Sequence, residues 1–221
     1  MSSDDKIYNK LLKTIVAHQL PPGARLPEDK LSEAFNVSRT GIRKVLQRLA
    51  VEQFVLIRPN KGAEVYAPDQ QEANEVFDSR ILIETQLIPK LVRNWDRTLS
   101  AQFRQIVVQE KKAEQDDDLS NAILLTSQFH YELAKIAGNS VLASFVEKLC
   151  YRSSLVIASY GSINSVGCDC GDHGHLIDLL DKGDEEGATV WMKHHLQQIK
   201  QSLDIDRQRS SDIDFLQLFS S

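Results

Sequence analysis

The sequence is poor in the features that mark secreted and membrane proteins. Its 221 residues include only 3 cysteines, a number that is small and odd, which disfavours a disulfide framework and favours a reducing compartment. No run of eighteen apolar residues and no apolar N-terminal stretch occurs. We therefore expect neither a membrane span nor a secretory signal, and a cytoplasmic location.

Positive charge is also scarce, with 26 lysines and arginines against 31 acidic residues, but it is unevenly distributed. Residues 1–66 contain eleven basic and seven acidic side chains, a net charge of +4, whereas residues 67–221 carry −9. A basic region joined to an acidic one is typical of a DNA-binding domain attached to a domain of another function. Charged solvated surfaces are common, so this asymmetry is a weak signal by itself.

The basic region has the pattern of three helices followed by a hairpin. Apolar spacing predicts a helix from Asp4 to Gln19 and a second, short helix after Pro27, which Asn36 can end in a left-handed turn. Ser38 is placed to cap a third helix. Two strands, Phe54–Arg58 and Ala63–Tyr66, flank a turn at residues 59–62. The residues expected to face inward from the two later helices are Leu31, Ala34 and Phe35, then Ile42, Val45, Leu46 and Leu49.

The third helix carries basic residues on its exposed face. Arg39, Thr40 and Arg43 lie in its opening turns, where a recognition helix meets base edges, and arginine can donate two hydrogen bonds to guanine. Lys10, Arg25 and Lys61 are better placed to neutralise phosphates. The alternative is a solvated helix face with no partner, which the turn and hairpin around it disfavour.

The run PPGARLPEDKLSEAFNVSRTGIRKVLQRLAVEQFVLIRPNKGAEV resembles the GntR family of bacterial regulators almost position by position. The resemblance implies a winged helix-turn-helix in which Arg39, Thr40, Arg43 and the wing-tip Gly62 contact DNA. It also implies a dimer that binds a near-palindromic double-stranded operator. The sequence departs from the family pattern at two positions, where Asp29 replaces a usually basic residue and Gly41 replaces a common proline.

Everything after the hairpin is helical in its apolar period. Helices are expected near 70–94, 100–115, 118–137, 140–160, 172–181 and 184–204, with a break at residues 98–100. The prediction is a mostly α protein: a winged helix-turn-helix domain at 1–67, a linker at 68–72 and an all-α helical bundle at 73–206. A tail at 207–221, disordered or docked on a partner, completes the chain.

Three histidines lie on the apolar stripes of three different predicted helices. His173 shares its stripe with Leu176 and Ile177, and His195 shares one with Met192, while His130 follows Phe129 at the edge of a third. His175 and His194 point elsewhere. Three imidazoles that converge in a bundle form a plausible divalent-metal site, most often zinc. Separate core histidines with hydrogen-bond partners are the alternative.

The helical part resembles the FCD domain of the FadR-type GntR regulators. Its matching motifs span Phe129–Asn139, His173–Asp184 and Met192–Leu196. The resemblance implies that His130, His173 and His195 bind the metal, zinc above others. An aspartate precedes the first histidine by one turn in metal-binding members, and Thr126 occupies that position here.

The same resemblance implies a small organic acid as the effector. Arg80, with Glu84 one turn later, matches an R-x-x-x-E motif and can bind a carboxylate by a bidentate pair. An internal ion pair, or a contact with the DNA-binding domain, is the alternative for Arg80. Cys168 and Cys170 form a C-x-C segment that can bind zinc or act as a thiol switch, but its glycine- and serine-rich setting favours a surface role.

These patterns predict a ligand-responsive transcriptional regulator, with repression as its expected activity, and not an enzyme. A metal-dependent hydrolase built on the three histidines is one alternative, because such a site can activate water. No H-E-x-x-H or G-x-S-x-G motif accompanies the histidines. A helical interaction module that no longer binds DNA is the other alternative, and Asp29 and Gly41 are the features that favour it.

Overall fold

A computed structural model of the chain describes residues 3–161 and 172–204. Within these ranges three helices and a hairpin come first and only helices follow, which confirms the mostly α fold class predicted from the sequence. The head consists of α1 (Ser3–Val16), α2 (Glu28–Phe35), α3 (Arg39–Val51), β1 (Val55–Arg58) and β2 (Gly62–Val65). The helical region consists of α4 (Gln70–Asn94), α5 (Arg97–Gln115), α6 (Leu119–Ile136), α7 (Ser140–Tyr160), α8 (His173–Asp181) and α9 (Glu185–Gln201).

Short-range signals set the helix ends in the head. Asn36 ends α2 with φ of 52°, and Ser38 begins α3 by accepting a hydrogen bond from the Gly41 amide at 3.2 Å. Ala34 was predicted to face inward, and this is wrong: it is exposed. The packing face of α2 follows Leu31 and Phe35, which are four residues apart, and Ala34 is turned about 100° away from Phe35.

The hairpin forms a two-stranded antiparallel wing. Val55 pairs with Val65 and Arg58 with Gly62, so the turn lies at residues 59–61. Asn60 and Gly62 have φ of 60° and 83°, which the turn requires and which glycine adopts without strain. Val55 of β1 and Val65 of β2 are buried, and their side chains join the wing to the core of the head.

Every helix of the helical region begins after an aspartate or asparagine whose side chain accepts a hydrogen bond from a backbone amide of the first turn. One of these caps corrects the predicted break at residues 98–100. The Asp96 carboxylate accepts from the amides of Thr98 and Leu99, both at 2.8 Å, so α5 begins at Arg97. The last helix ends at Gln201, three residues earlier than expected.

The head and the helical region share part of their apolar packing. The core of the head includes Ile123 of α6 and Leu155 of α7, and Phe54 meets Tyr151 edge to face. Tyr66, just after the wing, donates to Glu72 of α4 at 2.5 Å. The larger core cluster lies among α4–α9, and its member Phe129 contacts the rings of His130 and His173.

None of the described helices is long and apolar enough to span a membrane. The predictions for the tail at 207–221 and for Cys168 and Cys170 concern positions outside the described residues.

Candidate DNA-binding surface and three-histidine site

The exposed face of α3 presents the predicted base-reading residues. Arg39, Thr40 and Arg43 are all exposed, while the opposite face of α3 is buried in the head. The Gly41 amide donates to the Ser38 hydroxyl, a bond that proline at this position would lack. The glycine therefore keeps the first turn of α3 capped.

Arg43 is bound to a neighbouring helix. Its Nε and one terminal nitrogen donate to the two carboxylate oxygens of Glu28 on α2, at 2.9 and 2.6 Å. The pair is exposed, so solvent and salt screen it strongly. A DNA phosphate or guanine edge can compete with Glu28 for this guanidinium, because the pair is held only at the surface.

The remaining predicted DNA contacts lie on or beside the wing. Arg25, Lys61 and Gly62 are exposed, and Arg25 forms a backbone bridge to Glu64 of β2. Arg58 pairs with Glu64 at 2.8 Å, which occupies a basic side chain of the wing. The structure therefore places the predicted residues of α3 and the wing on the exposed side of the head.

The three predicted metal ligands lie together inside the helical region. His130 of α6, His173 of α8 and His195 of α9 are buried, and one ring nitrogen from each lies within 4.8 Å of the others. His175 and His194 are exposed. The periodicity of three separate helices thus selected side chains that the fold brings to one point.

A carboxylate fixes the orientation of His130. Its Nδ1 lies 2.6 Å from a carboxylate oxygen of Glu84 on α4. Burial would raise the pKa of Glu84, but Arg80 and His130 lower it to about 2, and burial lowers the pKa of His130 to about 4 despite Glu84. His130 is therefore neutral near pH 7, with its hydrogen on Nδ1 and a lone pair on Nε2.

A second carboxylate holds His173. The Nδ1 of His173 lies 2.8 Å from Glu110 of α5, and the Thr126 hydroxyl donates to the other oxygen of that carboxylate. Burial would raise the pKa of Glu110, but the contacts with His173 and Thr126 lower it below its ordinary value. The opposite nitrogen, His173 Nε2, is buried and has no partner among the described residues. Phe129 stacks on the His173 ring, with centroids 4.2 Å apart.

The spacing of the histidines fits a bound ion. The Nε2 atoms of His130 and His195 are 3.3 Å apart, a distance that suits either an N–H···N hydrogen bond or two ligands of one ion. Two nitrogens at roughly 2.0–2.1 Å from a tetrahedral zinc ion lie about 3.3–3.4 Å apart. Together with His173 Nε2, which is buried and has no partner in the described ranges, this donor set fits a divalent metal that prefers imidazole. Trp191 stacks on His195 and limits its rotation.

Arg80 is connected to the histidines through Glu84. Its Nε donates to Glu84 at 2.7 Å and one terminal nitrogen donates to Ser153 of α7 at 3.0 Å. The other, Nη2, is buried without a partner in the described part of the chain. The ion pair that was predicted as the alternative to effector binding is thus present. Arg80 Nη2 nevertheless remains as a hydrogen-bond donor that an effector could use. A bidentate carboxylate contact through both terminal nitrogens would compete with Ser153.

Sequence reasoning missed Glu110 and Ser153. Glu110 lies in the polar segment QEKKAEQ, where its neighbours Gln109 and Lys111 are exposed, so nothing local distinguishes it from a surface residue. Ser153 is one small residue among several on α7. The available signal was weak in both cases, because each residue is identified by partners more than 15 positions away.

Helix α7 also contacts the head directly. The Ser154 hydroxyl donates to the Val16 carbonyl at 2.6 Å, and His18 Nε2 lies 2.8 Å from the Ser154 carbonyl. Because a carbonyl oxygen can only accept, His18 Nε2 carries the hydrogen and donates. Ser154 adjoins Ser153, the partner of Arg80.

An exposed basic helix α3, a wing and a helical region with a buried polar site are the features of a winged-helix DNA-binding regulator that carries a separate helical domain. The FCD domain family matches residues 75–198, and the family of bacterial regulatory proteins named gntR matches residues 4–65. The chain belongs to the GntR family, with an FCD domain after its helix-turn-helix, as the resemblance implied. Proteins of this kind are transcriptional regulators and not enzymes.

Individual relatives agree with this assignment. The chain is 26% identical over 212 residues to the HTH-type transcriptional repressor RspR of Escherichia coli K12, covering 95% of this chain and 92% of that protein. It is 25% identical over 202 residues to the Nta operon transcriptional regulator of Aminobacter aminovorans, covering 90% and 93%. In fold it is similar to a GntR transcriptional regulator from Rhodococcus sp. RHA1, with a TM-score of 0.79, 19% identity and coverage of 95% and 100%. It is also similar to E. coli McbR/YncC, with a TM-score of 0.77, 20% identity and coverage of 90% and 95%.

Proposed function

We propose that this protein is a cytoplasmic repressor that binds a near-palindromic operator as a homodimer. Its three-histidine site holds a divalent metal, zinc above others. A small organic acid that binds at this site is the effector to which the repressor responds. The observation that supports the metal site most directly is the buried Nε2 of His173, which lies beside two other imidazoles and has no partner among the residues that the structure describes. The named repressor among the relatives, RspR, supports repression as the activity.

The exposed basic face of α3 supports operator binding. Arg39 and Thr40 stand in the first turn of a capped helix, where they can reach base edges. Arg25 beside the wing and Lys61 in its turn are exposed and available for phosphate contacts. One head offers too few base contacts to find one site in a genome. Two heads related by a two-fold axis would match a near-palindromic operator.

The polar groups buried in the helical region support an anionic effector. His130, His173 and His195 would hold the metal, which as a Lewis acid would attract an effector carboxylate at a remaining coordination position. Arg80 Nη2 is a second buried donor, and an anionic oxygen is its natural acceptor. The effector class that fits both groups is a small carboxylate.

Helix α7 offers a physical connection between effector and DNA. Arg80 binds Ser153 on α7, and the adjacent Ser154 binds the end of α1 through Val16 and His18. An effector that draws Arg80 away from Ser153 would change the packing of α7 against the head. The free energy of DNA binding would then change by the difference between the binding free energies of the effector for the two arrangements.

DNA binding is tested by selecting fragments from a randomised DNA library with the purified protein and measuring their affinity by fluorescence anisotropy. We expect selected fragments with two related half-sites, and binding that Arg39→Ala reduces. An Arg97→Ala variant, altered at an exposed arginine of α5, is the matched control. Selection of no fragment above random sequence would overturn operator binding.

Metal binding is tested by inductively coupled plasma mass spectrometry on protein purified without chelator. We expect near-stoichiometric zinc or another divalent ion, absent from a His130→Ala/His195→Ala variant and retained by His175→Ala, which alters an exposed histidine. Carboxylates are then screened for a change in anisotropy of the protein–DNA complex. A protein that contains no metal and takes up none on dialysis against zinc would overturn the metal site while leaving DNA binding intact.

A further inference from the structure

Glu110 is a buried carboxylate whose position the core does not require. It is 6% exposed, and its two oxygens contact His173 Nδ1 and the Thr126 hydroxyl. Burial of an ionised carboxylate is costly, and an apolar side chain of similar volume is often at least as stabilising in a core. Its two polar partners therefore indicate a role other than packing.

The second buried carboxylate of the site has the same relation to a histidine. Glu84 binds His130 Nδ1 at 2.6 Å as Glu110 binds His173 Nδ1 at 2.8 Å. In both histidines the carboxylate occupies Nδ1 and leaves Nε2 for another partner. His130 Nε2 lies 3.3 Å from His195 Nε2, and His173 Nε2 is buried with no partner in the described part of the chain. Carboxylates placed in this way fix the tautomer and the ring orientation of metal-ligating histidines and raise their basicity.

We propose that Glu110 is a positioning residue of the metal site. Thr126 offers no carboxylate as a metal ligand, and Glu110 supplies a carboxylate one step outside the ligands, where it holds His173. Thr126 holds the carboxylate of Glu110, and Glu110 holds His173 with its Nε2 lone pair toward His130 and His195. This inference rests on the proposed function, since it concerns the proposed metal.

The arrangement has a consequence for the effector. Three neutral imidazoles contribute no charge to the ligand sphere, and the two carboxylates of Glu84 and Glu110 lie one hydrogen bond further out. The positive charge of a bound ion is therefore less neutralised than with a carboxylate ligand, which favours an anionic oxygen at a remaining position. A small carboxylate matches this preference.

The experiment measures zinc affinity by competition with a chromophoric chelator. We expect Glu110→Gln to weaken zinc binding by about 10- to 100-fold, because the isosteric amide keeps the shape and loses the charge. Thr126→Val, which removes only the hydroxyl that holds Glu110, should weaken it less. Glu114→Gln, an exposed glutamate one turn further along α5, is the matched control and should bind as the unmodified protein does.

A Thr126→Asp/Glu110→Gln variant provides the reciprocal test, since it moves the carboxylate to the position of Thr126. It should recover much of the zinc affinity that Glu110→Gln loses. Circular dichroism melting of each variant separates lost folding from lost binding, and Thr126→Val keeps the test available if Glu110→Gln does not fold.

Cobalt(II) spectra show whether Glu110 acts at a distance. If Glu110 is a positioning residue, Glu110→Gln should shift the wavelengths of the visible absorption bands of bound cobalt(II) and leave their molar absorptivity, which reports the coordination number, in the same range. A molar absorptivity typical of another coordination number would make Glu110 a direct ligand and overturn the proposal. The proposal would also be overturned if Glu110→Gln bound zinc as tightly as Glu114→Gln does. That result would leave the proposed metal site itself intact. If the unmodified protein binds neither zinc nor cobalt, the metal site of the proposed function fails as well.

Discussion

Two arginine–glutamate pairs, one in the head and one in the helical region, have the same chemistry in opposite surroundings. Arg43 and Glu28 join α3 to α2 at the surface, with side-chain exposures of 57% and 31%. Arg80 and Glu84 lie one turn apart inside the helical region, with exposures of 5% and 3%. Water screens the first pair, so its partners can be exchanged at little cost, whereas each member of the second depends on the other.

This difference matches the DNA-binding role of the head and the effector-binding role proposed for the helical region. A DNA-reading surface needs charged groups that can leave one partner for another, and the exposed guanidinium of Arg43 is such a group. The proposed effector site holds its cation through buried partners: Arg80 donates to Glu84 and to Ser153, and only the bond to Ser153 would be exchanged for an effector oxygen. The polar residues of the head are thus exchangeable, and those of the helical region are preorganised.

The largest effect is expected from Arg80→Ala. The substitution leaves Glu84 buried beside His130 without its cationic partner, and breaking a buried pair costs about 3–5 kcal/mol. Urea unfolding measures the loss. Arg43→Ala, the corresponding change in the exposed pair, should leave the free energy of unfolding unchanged. Equal stability of the two variants would remove the contrast between the pairs.

Arg39→Ala is expected to have the next largest effect, and on DNA binding alone. Loss of a bidentate contact with guanine costs roughly 1–3 kcal/mol, which is about 5- to 150-fold in operator affinity. Because Arg39 is exposed, the unfolding curve should not move. Anisotropy titration at fixed salt gives the affinity. A uniform loss on operator and random DNA would show that Arg39 contacts phosphate instead of a base.

Ser154→Ala tests whether α7 connects the two regions. The change removes the bond from the Ser154 hydroxyl to Val16 and should lower the free energy of unfolding by about 1 kcal/mol. It should also reduce the response of DNA binding to the effector. Ser144→Ala, on an exposed part of the same helix, is the control. An unaltered effector response in Ser154→Ala would exclude this contact from the coupling.

The smallest effect is expected from Glu28→Gln. Loss of the carboxylate frees Arg43 and removes a negative charge near DNA, so affinity should rise a few-fold while stability stays the same. Glu33→Gln, at another exposed glutamate of α2, removes the same charge without touching Arg43. A loss of affinity in Glu28→Gln alone would mean that Glu28 orients Arg43 for DNA instead of competing with it.

The head was predictable in detail because its functional residues depend on local structure. Ser38 and Asn36 set the ends of helices within a few residues of themselves, and the exposed positions of α3 follow from its period. The errors were local too. Ala34 was assigned to the wrong face because a helix as short as α2 gives little periodicity to read.

The helical region was predictable only in part. Its helices and its three inward histidines follow from apolar spacing, since each histidine shares a stripe with core residues of its own helix. The break near residue 98 was misplaced because the cap of Asp96 outweighs the weak break signal after it. Glu110 looked like a surface residue, as its neighbours are.

The sequence by itself determined the order of the elements, the exposed face of α3 and the inward position of His130, His173 and His195 on their helices, because periodicity and capping act over a few residues. Tertiary structure alone decided which partners those histidines have. Glu84 and Glu110 lie 46 and 63 positions from the histidines they hold, and Ser153 lies 73 positions from Arg80. Contacts between helices so distant along the chain depend on how the bundle packs, which no local pattern records.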